Sequence, residues 1–291
     1  MKGIILINAY PNGEKFYRQA ERIQTELRLL GVETEIVKNG ELSFLIDEKG
    51  ISCPKAEKTS FVVYLDKDKY LGYALERLGL RLFNGAKQVE ICDDKVTTYE
   101  ALFRSGLKIV PTIPAPLCYT PNVQPSPIFL ERVAETLGFP LVAKTSYGSL
   151  GKGVKLVRGM PELIKTEKEW LYTPHAYQKF IESSSGKDLR MIVVGGKAVG
   201  AMQRIAKEGE FRSNIELGGN GLPVTAEREY LQAAERAAQT LGLDYCGVDL
   251  LFTEKGPMLC EVNSNAFFEG MERVTGINIA GIYAKYIVSQ L

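Results

Sequence analysis

Residues 245–262 read YCGVDLLFTEKGPMLCEV, two apolar runs joined by Glu254-Lys255-Gly256. Apolar runs around a short link, with glycine available for the left-handed position, predict an antiparallel hairpin. If Thr253 pairs with Pro257, Leu251 faces Leu259 and Asp249 faces Glu261. Side chains alternate along a strand, so Asn263 shares the face of Glu261. Directly opposed residues lie about 5 Å apart, and like charges there repel. Something positive must therefore lie between the two acids. Two carboxylates and an amide oxygen form a hard-oxygen set, which suits magnesium better than zinc or copper. The usual reason to hold magnesium is nucleotide phosphate. Asp249, Glu261 and Asn263 are thus the candidate metal ligands.

The first third alternates strand and helix. GIILINA precedes EKFYRQAERIQTELRLLG, where Phe16, Ala20, Ile23, Leu27 and Leu30 fall on one helical face and Gly31 stops the helix. TEIV, FVVYL, the helical DKYLGYALERLG and LRLFN follow. This βαβ rhythm predicts a small parallel sheet with flanking helices. One helix is expected through QVEICDDKVTTYEALFRSG, and Ser126-Pro127 caps another that ends at Gly138. PLVAK, GVKLVRG and HAYQKFIE read as strands; DLRMIVVGG and KAVGAMQR read as a hairpin turning at Gly195-Gly196. The fold class expected is α/β and α+β, with residues 1–86 forming the first unit.

Composition excludes several functions. With 36 Lys plus Arg against 35 Asp plus Glu, the net charge of +1 leaves no nucleic-acid footprint. Five cysteines without ligand spacing or a disulfide framework fit a reduced cytoplasm. The opening apolar stretch is short for a signal peptide, and no run approaches membrane-spanning length. His175 is the single histidine, which argues against imidazole-rich zinc sites; it opens a strand and is expected to be structural.

The segment VAKTSYGSLGKGVKLV places Lys144 at a strand end with Gly148, Gly151 and Gly153 before the next strand. Bare glycines let backbone N–H groups close over phosphate oxygens, and the lysine adds fixed charge. It is not a Walker loop, because the segment lies between strands. In YQKFIESSSGKDLR a strand runs through Gln178 into a short link, Lys179, Phe180 and Ile181, able to offer main-chain groups to an adenine edge. Asp188 could accept from ribose and Arg190 could meet phosphate or carboxylate. AMQRIAKEGEFRSN adds Arg204, Arg212, Ser213 and Asn214. Singly, each of these residues has an ordinary structural explanation.

Together and in this order, Lys95, Lys144, the QKFI link, Asp188-Leu-Arg190, FRSN, Asp249 and Glu261-Val-Asn263 resemble the ATP-grasp superfamily, most closely the RimK-type ribosomal-protein glutamate ligases. The resemblance covers essentially the whole chain and implies an N-terminal pre-ATP-grasp domain, 1–86, before a two-part nucleotide clamp, 87–174 and 175–291. It implies that Lys95 and Lys144 touch the ATP phosphates, with Arg212, Ser213 and Asn214 nearby. Lys179, Phe180 and Ile181 would frame adenine and Asp188 would lie by ribose. Asp249, Glu261 and Asn263 would hold one or two magnesium ions, with manganese as a substitute. The implied reaction joins a carboxylate to an amine through an acyl phosphate, with Arg190 and Arg204 as candidate catalytic residues. Implied partners are small-molecule carboxylate and amine substrates or a protein or carrier acceptor, and the family suggests homo-oligomers.

Two positions depart from the family pattern. Lys179 replaces a typical glutamate in the adenine link. Asn265-Ala266-Phe267-Phe268 replaces a small Ser-Pro-Gly-Leu after the metal asparagine, so two phenylalanines are expected to reshape the acceptor pocket.

Overall fold

The computed structural model describes residues 2–11, 13–148, 151–215 and 218–291. β1 (Lys2–Ile7), α1 (Lys15–Leu29) and β2 (Glu33–Lys38) open the chain. A small hairpin, β3 (Leu45–Asp47) and β4 (Gly50–Ser52), precedes β5 (Phe61–Leu65), α2 (Lys69–Arg77) and β6 (Arg81–Phe83). The first sheet is parallel throughout, in the order β2-β1-β5-β6, as the alternation predicts. β1 and β5 are buried on both faces: Ile5, Ile7 and Val63 pack with Ala20, Ile23 and Leu27 of α1, while Ile4, Leu6 and Val62 pack with Leu71 and Leu75 of α2. β2 and β5 flank β1 on opposite sides, so the sheet reverses winding between β1 and β5. Open parallel sheets form crevices at the carboxyl ends of such strands. Asn8 and Asp66 stand there, joined by an Asn8 Nδ2 to Asp66 Oδ1 hydrogen bond of 3.0 Å.

The single helix expected next is two, α3 (Ala86–Asp93) and α4 (Lys95–Ala101). Asp94 breaks it: its backbone is extended, and its carboxylate accepts from the N–H groups of Val96 and Thr97. An aspartate N-cap starts a new helix at the position where its side chain satisfies orphan amides. Lys95 thereby becomes the first residue of α4.

β7 (Thr112–Pro114), α5 (Pro127–Leu137), β8 (Leu141–Thr145), β9 (Val154–Val157), α6 (Met160–Trp170) and β10 (His175–Lys179) form a second, antiparallel sheet ordered β7-β10-β8-β9. Its core is its own, built from residues such as Leu130, Val133, Leu163, Trp170 and Tyr177. The expected boundaries need correction at both ends. β10 pairs with β7 and β8, so the central unit runs through Lys179 rather than ending at 174. Ala86 and Val89 pack under the first sheet, and Cys92 and Leu102 against the third, so residues 86–110 do not belong to the central unit.

The third sheet is β13-β12-β11-β14-β15, from β11 (Lys187–Val194), β12 (Lys197–Ile205), β13 (Asn220–Pro223), β14 (Tyr245–Thr253) and β15 (Gly256–Asn263). The β11–β12 turn is Gly195-Gly196, with φ of 56° and 75°. Positive φ at both central residues is what a tight hairpin turn requires. α7 (Arg228–Leu241) covers one face, packing Ala234, Ala237 and Leu241 on Met191, Val193 and Val248. α8 (Glu269–Thr275) and α9 (Ile279–Ser289) cover part of the other, and α9 also packs on α1, so the first and third sheets share one core.

Asn84 rivets that junction. Its Nδ2 donates to the carbonyls of Tyr245 and Ser264 at 2.7 and 2.8 Å, and its Oδ1 accepts from the N–H groups of Asp244 and Tyr245 at 2.7 and 3.0 Å. The residue is buried, so alanine would strand main-chain groups without water. Asn84→Ala is expected to destabilise the protein by about 3 kcal/mol. Urea unfolding checks this, and a loss below about 0.5 kcal/mol would contradict the role.

Candidate active site

One face of the third sheet changes character along its strands. On β11, Ile192 and Val194 lie in the shared core under α8 and α9. Two and four residues earlier, the same face carries Arg190 and Asp188. β14 repeats the pattern, with Tyr245 covered and Asp249 beyond the cover. The ladder sets Asp188 opposite Arg204, and Arg190 opposite Asp249, which in turn faces Glu261. Opposite charges thus meet across three strands.

Asp249 does face Glu261, but by a different route from the one expected. Thr253 pairs with Gly256 rather than Pro257, Leu251 faces Met258, and Leu250 faces Leu259. The link is therefore the two residues Glu254-Lys255, closed by the Thr253 hydroxyl donating to the Gly256 carbonyl at 2.7 Å. A bulge at Cys260 then restores the alignment of the two acids. Such a bulge leaves an extra residue and re-aims the side chains beside it. Here both Cys260 and Glu261 line the same cavity.

Asp249 is engaged by arginine. Arg190 grips it through Nε and Nη2, the latter at 2.7 Å to Oδ2, and Arg204 Nη2 lies 2.8 Å from Oδ2. Arg204 also forks onto Asp188, with Nε 2.7 Å from Oδ1 and Nη2 on Oδ2. Burial pushes the Asp249 pKa up, and the two guanidiniums more than reverse that, holding it at about 2. The positive charge beside Asp249 is thus protein-borne, and the Asp188 carboxylate is committed to Arg204.

Glu261 and Asn263 are different. The Glu261 carboxylate has one ion-pair partner among the described residues, Lys95 at 3.8 Å, and the Asn263 side chain makes no hydrogen bond among them. Adjacent open oxygens on one strand face suit a hard cation that accepts carboxylate, amide and water ligands. No group of three or more His, Cys, Asp or Glu gathers among the described residues, so such a set needs the Asn263 amide. Asp249 could join only through an oxygen that already accepts from arginine, which its second lone pair permits.

Beside these acids opens a cavity of about 120 Å³. Lys95, Lys144, Gly148, Gly151, Gln178, Lys179, Phe180 and Ile181 line it, as do Asp188, Arg204, Arg212, Ser213, Asn214, Asp249 and Glu261. Asn263 lies instead in the adjoining cleft, which shares Gly148, Arg204, Asn214 and Glu261 with the cavity. Lys144 Nζ contacts Cys260 Sγ at 3.5 Å, and Lys95 Nζ donates to the Gly148 carbonyl at 2.9 Å. Arg212 is forked onto Glu210 and donates to the Gly151 carbonyl at 2.9 Å. Gly153 is the close-approach glycine of this loop: at φ 68°, a Cβ would meet Thr145 Oγ1 at 2.3 Å. The glycine-rich segment expected to close over phosphate includes Ser149 and Leu150, which lie outside the described residues.

In the link, the Gln178 amide donates to Tyr99 Oη and Thr112 Oγ1, both at 2.9 Å, so its side chain anchors β10. The Phe180 ring meets Phe211 edge-on at 6.3 Å. Sequence reading missed Phe211 and Tyr99, whose hydroxyl also holds the Cys260 carbonyl at the bulge. Each is an ordinary aromatic until the three sheets converge. His175 is buried between the Thr173 carbonyl at 2.7 Å and Glu167 at 3.0 Å, a structural position as expected.

Burial pulls the Lys95 pKa below its ordinary 10.5; Glu261 partly offsets this, and Lys144 adds to the depression. A lysine with a lowered pKa loses its charge sooner as pH rises. If Lys95 binds nucleotide phosphate, affinity should therefore start to fall below pH 10.5, and Lys95→Arg should flatten that decline. Titrations across pH 7–11 check this; identical profiles for both proteins would contradict it.

The loop after β15 needs a second correction. Phe268 is not in the pocket: it is buried against Tyr245, with ring centroids 6.4 Å apart. Asn265 donates to the Leu65 carbonyl at 2.8 Å, and the Ala266 carbonyl accepts from Gln19 and Tyr245. Phe267 alone of the pair reaches the cleft, together with Phe16 of α1.

Residues 92–287 match the family model described as RimK-like ATP-grasp domain. The chain belongs to the RimK-like ATP-grasp family. Human beta-citrylglutamate synthase B is 33% identical over 236 residues, 79% of this chain and 58% of that protein. The chain thus spans little more than half the length of that relative. A probable alpha-L-glutamate ligase of Thioalkalivibrio sulfidiphilus is 35% identical over 214 residues, 73% of this chain and 68% of that one. The fold is shared with the ATP-grasp ligase PsnB, solved with a phosphomimetic precursor variant, Mg and ADP, at a TM-score of 0.71 and 16% identity, covering 100% of this chain and 99% of that one. No helix among the described residues is long and apolar enough to cross a membrane.

Proposed function

We propose that this RimK-like protein is an ATP- and magnesium-dependent ligase that joins a carboxylate to an amine. The observation that carries the reading is the adjacency of two spaces. The cavity with Lys95, Lys144 and the adenine link shares Glu261, Arg204 and Asn214 with a cleft reaching the first sheet. A nucleotide in the first would present its terminal phosphate to a substrate in the second.

In this reading, main chain at Lys179, Phe180 and Ile181 borders adenine, and Asp188 braces Arg204 beside the ribose. Lys95, Lys144, Arg212, Ser213 and Asn214 hold the phosphates. Glu261 and Asn263, with Asp249, hold magnesium, one or two ions, with manganese as a substitute; the metal would neutralise phosphate charge. The substrate carboxylate attacks the γ-phosphorus and ADP leaves. The amine nitrogen then attacks the acyl carbon, phosphate departs, and the amine proton goes to solvent. Nothing here needs a nucleophilic side chain; positioning and charge do the work. Arg190 and Arg204, fixed by buried acids, line the cleft and stabilise the acyl phosphate as charge develops. The five free cysteines agree with placing the reaction in the reducing cytoplasm.

Amino acids supplied in pairs with Mg-ATP test the reaction. ADP release that requires both partners, with a new amide detected by mass, is the expected result. ADP release that needs no carboxylate would point to a simple phosphohydrolase instead.

A further inference from the structure

We propose that one of the two substrates is an amino acid with an apolar or aromatic side chain, seated on Phe16 and Phe267. This rests on the ligase reading and adds the chemistry of the substrate seat.

Phe16 comes from α1 and Phe267 from the loop after β15. They meet edge to face, with centroids 5.0 Å apart and planes at 82°. Neither ring is fully buried, and both line the cleft that also holds Glu261 and Asn263. Paired aromatic surface left open beside a nucleotide cavity gains free energy when an apolar partner covers it.

Most charges of the cleft are already engaged. Arg18 is held by Glu269 at 3.1 Å and Lys67 by Asp93 at 2.5 Å, while Arg190 and Arg204 are fixed on buried aspartates. Lys15 Nζ lies 4.5 Å over the Phe267 ring. Arg273, exposed at the cleft rim, has no ion pair among the described residues. Arg273 is thus placed for the carboxylate of an amino acid. An acidic side chain laid over the rings would lose hydration without the gain of apolar burial.

The test is a titration of the protein carrying magnesium and a non-hydrolysable ATP analogue with L-phenylalanine, L-leucine and L-glutamate. L-Phenylalanine and L-leucine should bind at least about tenfold more tightly than L-glutamate. Phe267→Ser should weaken L-phenylalanine about tenfold, the loss expected for half of a phenyl burial. Nucleotide affinity should stay unchanged, and the protein should remain folded, because Phe267 is only half-buried. Equal or tighter glutamate binding, no effect of Phe267→Ser, or no binding of the two apolar amino acids would each overturn the proposal. Loss of the ligase reading registers separately, as failure of the nucleotide to load before any amino acid is added.

Discussion

Replacing Glu261 with alanine will remove magnesium-dependent turnover while leaving the protein folded. The side chain is partly exposed, and its one ion pair among the described residues, with Lys95 at 3.8 Å, is long. Little stability depends on it. Its loss leaves Asn263 as the one open oxygen ligand and places Lys95 and Lys144 beside phosphates with no metal between. Outer partners of metal ligands typically change affinity by about 10–100-fold, so a direct ligand should exceed that, and we expect at least about a thousandfold fall in ADP release. Metal-free ATP should bind the variant no worse than it binds the parent, since a negative charge has gone. A steady-state assay with a melting curve checks both parts, and a variant turning over at the parental rate would refute the ligand assignment.

Arg204→Met should be the most destabilising change in the site. The guanidinium is buried between Asp188 and Asp249, both buried themselves. Methionine fills much of the volume but strands Asp188 without a counter-ion. Breaking a buried pair from one side costs about 3–5 kcal/mol. Urea unfolding should show that loss, and the double variant Asp188→Asn with Arg204→Met should recover much of it. No recovery would mean that packing, rather than charge, holds the arginine. The pairing also sets an acid limit. Asp249 sits at about 2 against an ordinary 3.8, so its contribution is present above about pH 4 and disappears as pH falls towards 2. Part of that contribution should be missing in Arg204→Met.

Local pattern was enough to read the parallel first sheet and the Gly195-Gly196 turn, whereas Asp249 meets Glu261 because a bulge offsets a one-residue error in the expected register. The sheet and the turn depend on alternation or on a backbone position that few residues adopt. Hairpin register was not legible, because residue counting cannot reveal a bulge; Cys260 looks like any other strand residue until its neighbours are placed. The split between α3 and α4 was visible in principle, since Asp94 is a good N-cap, but an unbroken apolar period obscured it. The partners of Asp188 and Arg190 could not be read at all. They follow from β11 lying between β12 and β14, a consequence of sheet order. The two phenylalanines of the 265–268 loop were indistinguishable in sequence, and only packing against Tyr245 sends Phe268 inward and leaves Phe267 in the cleft.

Calorimetric titration of the native protein with Mg-ATP probes the central assignment most directly. One equivalent of nucleotide should bind, more weakly when Lys144 is replaced by methionine, with the magnesium dependence of binding lost in Glu261→Ala. A folded protein giving no heat, and no competition with a fluorescent ATP analogue, would contradict the nucleotide site and the ligase built upon it.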